Sequence, residues 1–237
     1  MSKKGKHVWI TGANSGIGKS LTYEFSANNI LCVASARREK ALHKMKKGAG
    51  DNSKLIEIYS LDISDSSNLK KTSKKIFKKY DVDCLINNAG ITSFNSAESS
   101  SVTDVERIIR TNLIGSIGAI QNSISHFKKR GGGVIINILS VAATKIFKNS
   151  SIYSASKAGL LAYTNVLREE VREYNIKVIN ILPGATRTPI WSTKILSEFA
   201  NRMMSPEDIA KFIYQIYSLD YDLVPEEITM RPIEGDL

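Results

Sequence analysis

The sequence predicts an α/β fold: a doubly wound, seven-stranded, mostly parallel sheet with helices on both faces. Two patterns carry this reading. Short, nearly continuous apolar runs alternate with longer stretches of helical period, and strands apolar along their whole length belong to sheets covered on both faces. A glycine-rich turn also stands between the first such run and the first helical stretch. The length agrees. At ~150 residues per domain, 237 residues leave one domain or two. Such a chain buries roughly 70–75% of its unfolded surface and needs no staples.

Residues 8–10 read as the first strand and 17–27, after the glycine turn, as the first helix. Residues 31–34 and 55–59 are the next two apolar runs, with 46–52 as the loop before the second of them. Residues 66–80 have helical length and period, and 82–86 follow as the fourth strand. The Ser-rich stretch 92–101 reads as a polar loop, and 102–127 as one long helix. After a loop at 129–133 come a strand at 134–139, a helix at 152–174 and a strand at 178–182. Residues 187–200 read as a loop. Ser205-Pro206-Glu207-Asp208 then starts a helix, with a cap residue, Pro in the first turn and acids at the positive dipole end. Glu227–Met230 is the seventh strand. No repeat or linker interrupts the order, so one domain over residues 1–237 is expected, with a substrate loop at about 185–204.

Composition excludes several classes. Hydrophobic residues are 42% and charged residues 24% of the chain, a globular balance. Cys32 and Cys84 both lie in apolar runs and read as buried free thiols rather than a disulfide framework. No run reaches the ~18 apolar residues of a membrane span. The basic start Met1-Ser2-Lys3-Lys4-Gly5-Lys6-His7 leads into a short run that ends at Gly12, unlike a signal peptide. A cytoplasmic protein without membrane or nucleic-acid partners is expected, and no metal.

The net charge of +10, from 33 basic against 23 acidic residues, raises the question of a polyanionic partner. Much of it sits on Lys70, Lys71, Lys74, Lys75, Lys78 and Lys79, whose spacing makes one solvated helix face. Lys44–Lys47 and Lys128–Arg130 fall near a helix end and a loop. No aromatic platform for stacking bases is interleaved with these lysines.

The turn Thr11-Gly12-Ala13-Asn14-Ser15-Gly16-Ile17-Gly18 joins strand to helix, the context a dinucleotide-binding turn of the Rossmann type requires. Gly12 permits the tight turn and Gly16 lets backbone approach a pyrophosphate. Gly18 lets the helix pack closely, and the free N–H groups of the helix start face the phosphate. The spacing is GxxxGxG, and an ordinary Gly-rich turn is the competing reading.

Tyr153 and Lys157 stand four residues apart on one helix face. A neighbouring ammonium favours the phenolate, which suits a proton donor tuned toward neutrality. Ser140 follows the fifth apolar strand, at the carboxyl end where ligands sit in such sheets, and its hydroxyl suits a substrate carbonyl. Alone, YxxxK is a common chance pattern. On another face, Ala155, Ala158, Gly159 and Ala162 make a small-residue stripe, as do Gly115, Ser116, Gly118 and Ala119 on the long helix before it. Either tight packing within the chain or a homo-oligomer interface accounts for them.

Taken in order, these residues resemble the short-chain dehydrogenase/reductase family along nearly the whole chain. The resemblance rests on the TGxxxGIG turn, Asn87-Asn88-Ala89-Gly90 after the fourth strand, Asn112, Ser140, Tyr153 and Lys157, Pro183-Gly184 and Thr188. It implies an NAD(P)-dependent oxidoreductase acting on a carbonyl or secondary alcohol. Tyr153 would be the acid/base and Ser140 would polarise the substrate oxygen. Lys157 would bind the nicotinamide ribose, and Asn112 would support a proton relay through water and the lysine. Gly12, Asn14, Ser15, Gly16, Ile17 and Gly18 would hold the pyrophosphate side. Asp62 would contact the adenine, Asn88, Ala89 and Gly90 would line the adenosine side, and Pro183, Gly184, Thr186 and Thr188 the nicotinamide. Thr186 and Leu139 depart from the family's usual aliphatic and small residues, without removing a catalytic group.

In such folds an acid at the end of the second strand holds the ribose 2′-hydroxyl of NAD. Here Ala36 stands in that place and Arg37 follows, with Ser35 and Arg38 beside it. A guanidinium matches a 2′-phosphate, so NADP(H) is expected over NAD(H). The segment 187–204 carries Ile190, Trp191, Ile195, Leu196 and Phe199, either a lid over a partly apolar substrate or a helix packed on the core. Three functions compete: a carbonyl reductase, a 3-oxoacyl-[acyl-carrier-protein] reductase, and a non-catalytic cofactor-binding regulator. By the resemblance, the chain forms a homodimer or homotetramer.

Overall fold

The computed structural model describes residues 6–219 and 223–236; Met1 to Gly5 of the basic start lie outside the described residues. β1 (His7–Thr11) sits inside the sheet, flanked by β2 (Leu31–Ala36) and β4 (Val82–Asn87). β3 (Ile56–Ser60) lies outside β2. β5 (Gly133–Ile138), β6 (Ile176–Pro183) and β7 (Glu227–Met230) continue from β4 on the other side. The order is β3-β2-β1-β4-β5-β6-β7 and every pairing is parallel. The chain runs outward from β1 to β3, then returns to start again at β4. The switch point therefore falls between β1 and β4, where their carboxyl ends open a crevice.

Side-chain alternation on β1 divides the core. Val8 and Ile10 face one layer, which they share with Leu21 and Phe25 of α1 (Gly16–Ala27) and with Ile209 and Ile213 of α8 (Pro206–Ser218). Trp9 faces the other. It packs with Ile76 of α3 (Ser66–Lys79), Ile120 and Phe127 of α5 (Ser116–Arg130), and Leu167 of α6 (Ser151–Val171). Its indole N–H donates to Ser35 Oγ at 2.9 Å, so the fully buried Trp9 is satisfied. Across β4, β5 and β6, buried Asn87, Asn137 and Asn180 stand in register. Asn87 donates to Asn137 at 3.1 Å and Asn137 to Asn180 at 3.0 Å. This amide ladder fixes the strand ends just before they meet the crevice.

Several expectations are corrected. The long helix at 102–127 is α4 (Val102–Ile109), a π-helical segment (Arg110–Gly115) and then α5. The predicted loop at 46–52 is mostly helical: α2 (Glu39–Lys47) runs into it and a 3-10 turn (Gly50–Leu55) follows. The predicted loop at 187–200 contains α7 (Thr193–Phe199). The helix at 152–174 ends as α-helix at Val171 and finishes in a 3-10 turn (Arg172–Tyr174). β5 ends at Ile138, so Leu139 is outside the strand. Other expectations hold. Ser205 Oγ accepts from Asp208 N at 3.1 Å and caps α8, β7 forms, both cysteines are free and buried, and the six α3 lysines are exposed.

The small residues of α5, α6 and the π segment have local uses. A Cβ on Gly115 would stand 2.6 Å from Ile63 O, and one on Gly118 2.9 Å from Leu69 Cδ2. Gly159 faces Leu113 of the π segment. Close packing within the chain thus explains these three, while Ala155 and Ala162 remain exposed. No helix among the described residues is long and apolar enough to cross a membrane.

Candidate active site

The crevice at the switch point is a cleft of about 670 Å³. Its floor is made where the β1 and β4 loops are sewn together. Thr11 Oγ1 accepts from Asn88 N at 3.0 Å and Ala89 N at 3.1 Å. Asn88 Nδ2 donates back to Thr11 O at 2.9 Å and Gly12 O at 3.1 Å. This proximity demands the glycines. Gly12 has φ +65°, and a Cβ there would stand 2.8 Å from Ala89 Cα. A Cβ on Gly18 would stand 2.4 Å from both Asn88 Nδ2 and Gly12 O. Gly18 is therefore a packing residue behind the cleft, whereas Gly12, Asn14, Ser15, Gly16 and Ile17 line it. Ser15, at the N-cap of α1, makes no side-chain capping bond, which leaves the first-turn N–H groups free of it.

At the centre, Ser140 caps a 3-10 turn (Val141–Ala143), its Oγ accepting from Ala142 N at 3.1 Å. Tyr153 lies in the first turn of α6 and Lys157 one turn on. Lys157 Nζ donates to Ile138 O at 2.8 Å and lies 5.7 Å from the centroid of the Tyr153 ring. Burial pulls the Lys157 ammonium down to about 8. Tyr153 corrects the sequence reading: burial raises its phenol above the ordinary value, and a hydrogen bond with Ser140 opposes that rise.

Asn112 is fully buried in the π segment. Its Oδ1 accepts from Ile91 N at 2.9 Å, and its Nδ2 donates to Ile91 O at 2.8 Å and Ser156 Oγ at 3.0 Å. Ser156 in turn donates to Tyr153 O at 2.7 Å. Asn112 does not itself line the cleft. A Cβ on Gly90 would stand 3.6 Å from both Asn112 Oδ1 and Lys157 Nζ, so these two side chains flank Gly90.

Arg37 and Arg38 line the far end of the cleft, exposed just after β2. Ser35 does not assist them with a free hydroxyl: it accepts from Trp9 and donates to Ile10 O at 3.2 Å. Asp62 stands off the cleft wall, which its neighbours Leu61 and Ile63 line. Its carboxylate accepts from Ser64 N at 2.9 Å and Ser64 Oγ at 2.6 Å.

Pro183, Gly184, Thr186 and Thr188 line the opposite end, with Asn88, Ala89 and Gly90 along the wall. Thr188 reaches across to the glycine turn, where a Cβ on Gly16 would stand 3.1 Å from its side chain. Trp191 Nε1 donates to Thr186 O at 3.0 Å, which leaves its ring face for Phe94. The two rings stack at 5.1 Å and 6°.

The family model for short chain dehydrogenases matches residues 6–198. The chain belongs to the short chain dehydrogenase family. It is an NAD(P)-dependent oxidoreductase. Sepiapterin reductase of Chlorobaculum tepidum is 34% identical over 241 residues, covering 98% of each chain. The 3-oxoacyl-[acyl-carrier-protein] reductase of Thermotoga maritima is 30% identical, covering 96% of each. The closed form of a serine dehydrogenase complexed with NADP+ is 25% identical, with a TM-score of 0.89 over 98% of this chain and 96% of that one.

The residues present fit a dinucleotide. Gly16, at φ +52°, carries no Cβ to fill the cradle beside Thr188, the first turn of α1 is uncapped by its N-cap side chain, and cations stand at the distal end. Reading the sequence missed Ser156, which ties Asn112 to the Tyr153 backbone, and Phe94, the partner of Trp191. Asn112 is 44 residues from Ser156, and Phe94 and Trp191 come from different loops, so no local spacing marks these pairs.

Proposed function

We propose that this dehydrogenase is an NADP(H)-dependent carbonyl reductase, reversibly interconverting a carbonyl and a secondary alcohol. The observation that carries the reading is the convergence of Ser140, Tyr153 and Lys157 on one cleft that ends at Arg37. Bound nicotinamide supplies or accepts the hydride. Ser140 holds the substrate oxygen and Tyr153 gives it a proton in the reductive direction. Lys157, aimed by the Ile138 carbonyl, orients the ribose and steadies charge on the phenol oxygen. Asn112 keeps Gly90 and Ile91 beside Lys157, and through that lysine would support proton supply. The α1 turn would hold the pyrophosphate, Asn88 and Ala89 with the Asp62 segment the adenosine, and Thr186 and Thr188 the carboxamide.

Arg37 and Arg38 support NADP(H) over NAD(H), and the serine dehydrogenase neighbour, of known NADP+ complex, agrees. On the substrate side, Phe94, Phe147, Ile190 and Trp191 line the wall, which favours a carbonyl with an apolar or flat body. The Chlorobaculum relative, named a sepiapterin reductase, supports the reductive reading. We further propose one domain with a substrate loop at about 185–204, a cytoplasmic setting that suits free Cys32 and Cys84, and a homo-oligomer built on α6 and the π segment. There Ile114 and Val166 are 52% and 62% exposed beside Ala155 and Ala162.

The test is NADPH consumption on a panel of carbonyl compounds. Turnover supports a reductase; cofactor binding without turnover of any member favours a regulator. An acyl-carrier-protein thioester preferred over its free analogue would move the assignment to the activity named for the Thermotoga relative.

A further inference from the structure

The last described residues bring Asp236 to the cleft wall. β7 leads to Arg231 and a turn, in which Gly235 N donates to Pro232 O at 2.9 Å. Gly235 has φ +87°, the left-handed region. The turn folds Asp236 back onto Arg231, which grips it with Nε at 3.0 Å and Nη2 at 2.6 Å. The base of the segment is fixed beside the cleft, since Gly184 N donates to Met230 O at 2.7 Å.

From this anchored turn two acids reach in different directions. Asp236 lines the cleft and accepts from Lys145 Nζ at 3.3 Å. Lys145 belongs to the loop after Ser140, whose Phe147 and Lys148 form one wall. Glu234 lies 3.0 Å from Arg202 Nε, an ion pair without hydrogen-bond alignment. Arg202 ends the segment that carries Ile190, Trp191 and α7, the other wall. Both walls come from loops at the carboxyl ends of β5 and β6; the second is closed at its base by Met204, whose N donates to Ala185 O and whose O accepts from Arg187 N, each at 3.0 Å.

We propose that Glu234 and Asp236 are positioning residues for the substrate side, forming an ionic strap that ties the Ser140 loop to the 185–204 loop and sets how closely the cleft closes on its carbonyl substrate. This rests on reading that side as the substrate side. Arg231 holds the strap's shape, and among the described residues it forms an ion pair only with Asp236. Each pair is partly open to water, so the strap weakens with ionic strength.

The experiment compares the full chain with Asp236→Asn, Glu234→Gln and the charge-keeping Asp236→Glu. It reads hydrogen exchange peptide by peptide, NADPH affinity, and KM and kcat for a carbonyl substrate from the panel. Asp236→Asn should speed exchange in residues 141–150, and Glu234→Gln in residues 193–204. In both, β1 and β4 should keep wild-type protection and NADPH affinity should be unchanged. KM should rise roughly two- to five-fold at constant kcat, as expected of half-open ion pairs, and Asp236→Glu should restore it. Unchanged exchange in the matching segment overturns the strap, as does faster exchange with KM unmoved. If no carbonyl is turned over, the reductase reading falls, and exchange alone still decides whether the acids tether the two walls.

Discussion

Lys157 is held one helical turn from Tyr153 by the carbonyl oxygen of Ile138, 2.8 Å from Nζ, with the ammonium 5.7 Å from the centroid of the tyrosine ring. The last residue of β5 thus aims the cation that α6 carries. The lysine has little freedom, since it is 4% exposed, and its charge lies where a ribose and a phenol oxygen would meet it.

Tyr153→Phe removes the proposed proton donor and little packing. The variant is expected to fold and bind NADPH with near wild-type affinity while kcat falls about 10²- to 10⁴-fold. Single-turnover absorbance at the cofactor band measures it, and substantial retained turnover would remove Tyr153 from the role.

Lys157 also sets a pH dependence of stability. Its folded value is about 8 against an ordinary 10.5. Between these the unfolded chain still binds a proton that the folded chain has released, so this group makes stability rise with pH across the window. Below about 8 the ammonium is charged in both states and its burial penalty, on the order of 3 kcal/mol, is fully present. Lys157→Met should flatten that rise. Urea midpoints of both proteins on either side of the window give the comparison, and equal slopes would show that another group is responsible.

Arg37→Asp places a carboxylate where the 2′-phosphate would lie. Loss of one charge-assisted contact corresponds to roughly 10- to 100-fold in affinity, and repulsion adds to it. NADPH is expected to lose its advantage and NADH to gain. Steady-state kinetics with both cofactors measures this, and an unchanged preference would exclude Arg37.

Gly18→Ala puts a methyl 2.4 Å from the Gly12 carbonyl oxygen. Backbone cannot swing aside as a flexible side chain can, so the loops sewn by Asn88 must part. A loss of roughly 1–3 kcal/mol is expected, together with weaker cofactor binding, by denaturation and fluorescence titration. A stable, tight-binding variant would mean that the turn has room to spare.

Ile114→Lys replaces the exposed apolar side chain of the π segment with a charge. If that face joins copies of the chain, light scattering should give a dimer or tetramer for the wild type and a smaller species for the variant. A monomeric wild type contradicts the interface.

The legible parts were those with a local signature. Strands came from unbroken apolar runs, and the glycine turn, Tyr153 and Lys157 from spacing within one turn of chain. α2 was legible only as a helix end near Lys44–Lys47, because only Leu42 and Met45 are buried in a segment crowded with lysines. α7 carries Ile195, Leu196 and Phe199 but buries no residue, so its apolar side chains left a lid and a core-packed helix undecided. The Tyr153 shift escaped because its largest cause is burial, which depends on what the fold brings over the ring. Asn112 was found, but its partners Ile91 and Ser156 were not, since two separate segments supply them.

The π segment at Arg110–Gly115 joins two α-helices that address different neighbours: α4 lies against α6, and α5 against α3. A wider turn delays the winding, and one residue of α-helix corresponds to about 100° of rotation. Asn112 sits in that interval, turned inward to Ile91 and Ser156. Winding all six residues of Arg110–Gly115 as α-helix, with none removed, would rotate Ala119, Ile120 and Phe127 by about 100° and out of the sheet's grasp. The irregular turn is thus a phase shift that lets one continuous rod serve the catalytic cleft at one end and the core at the other.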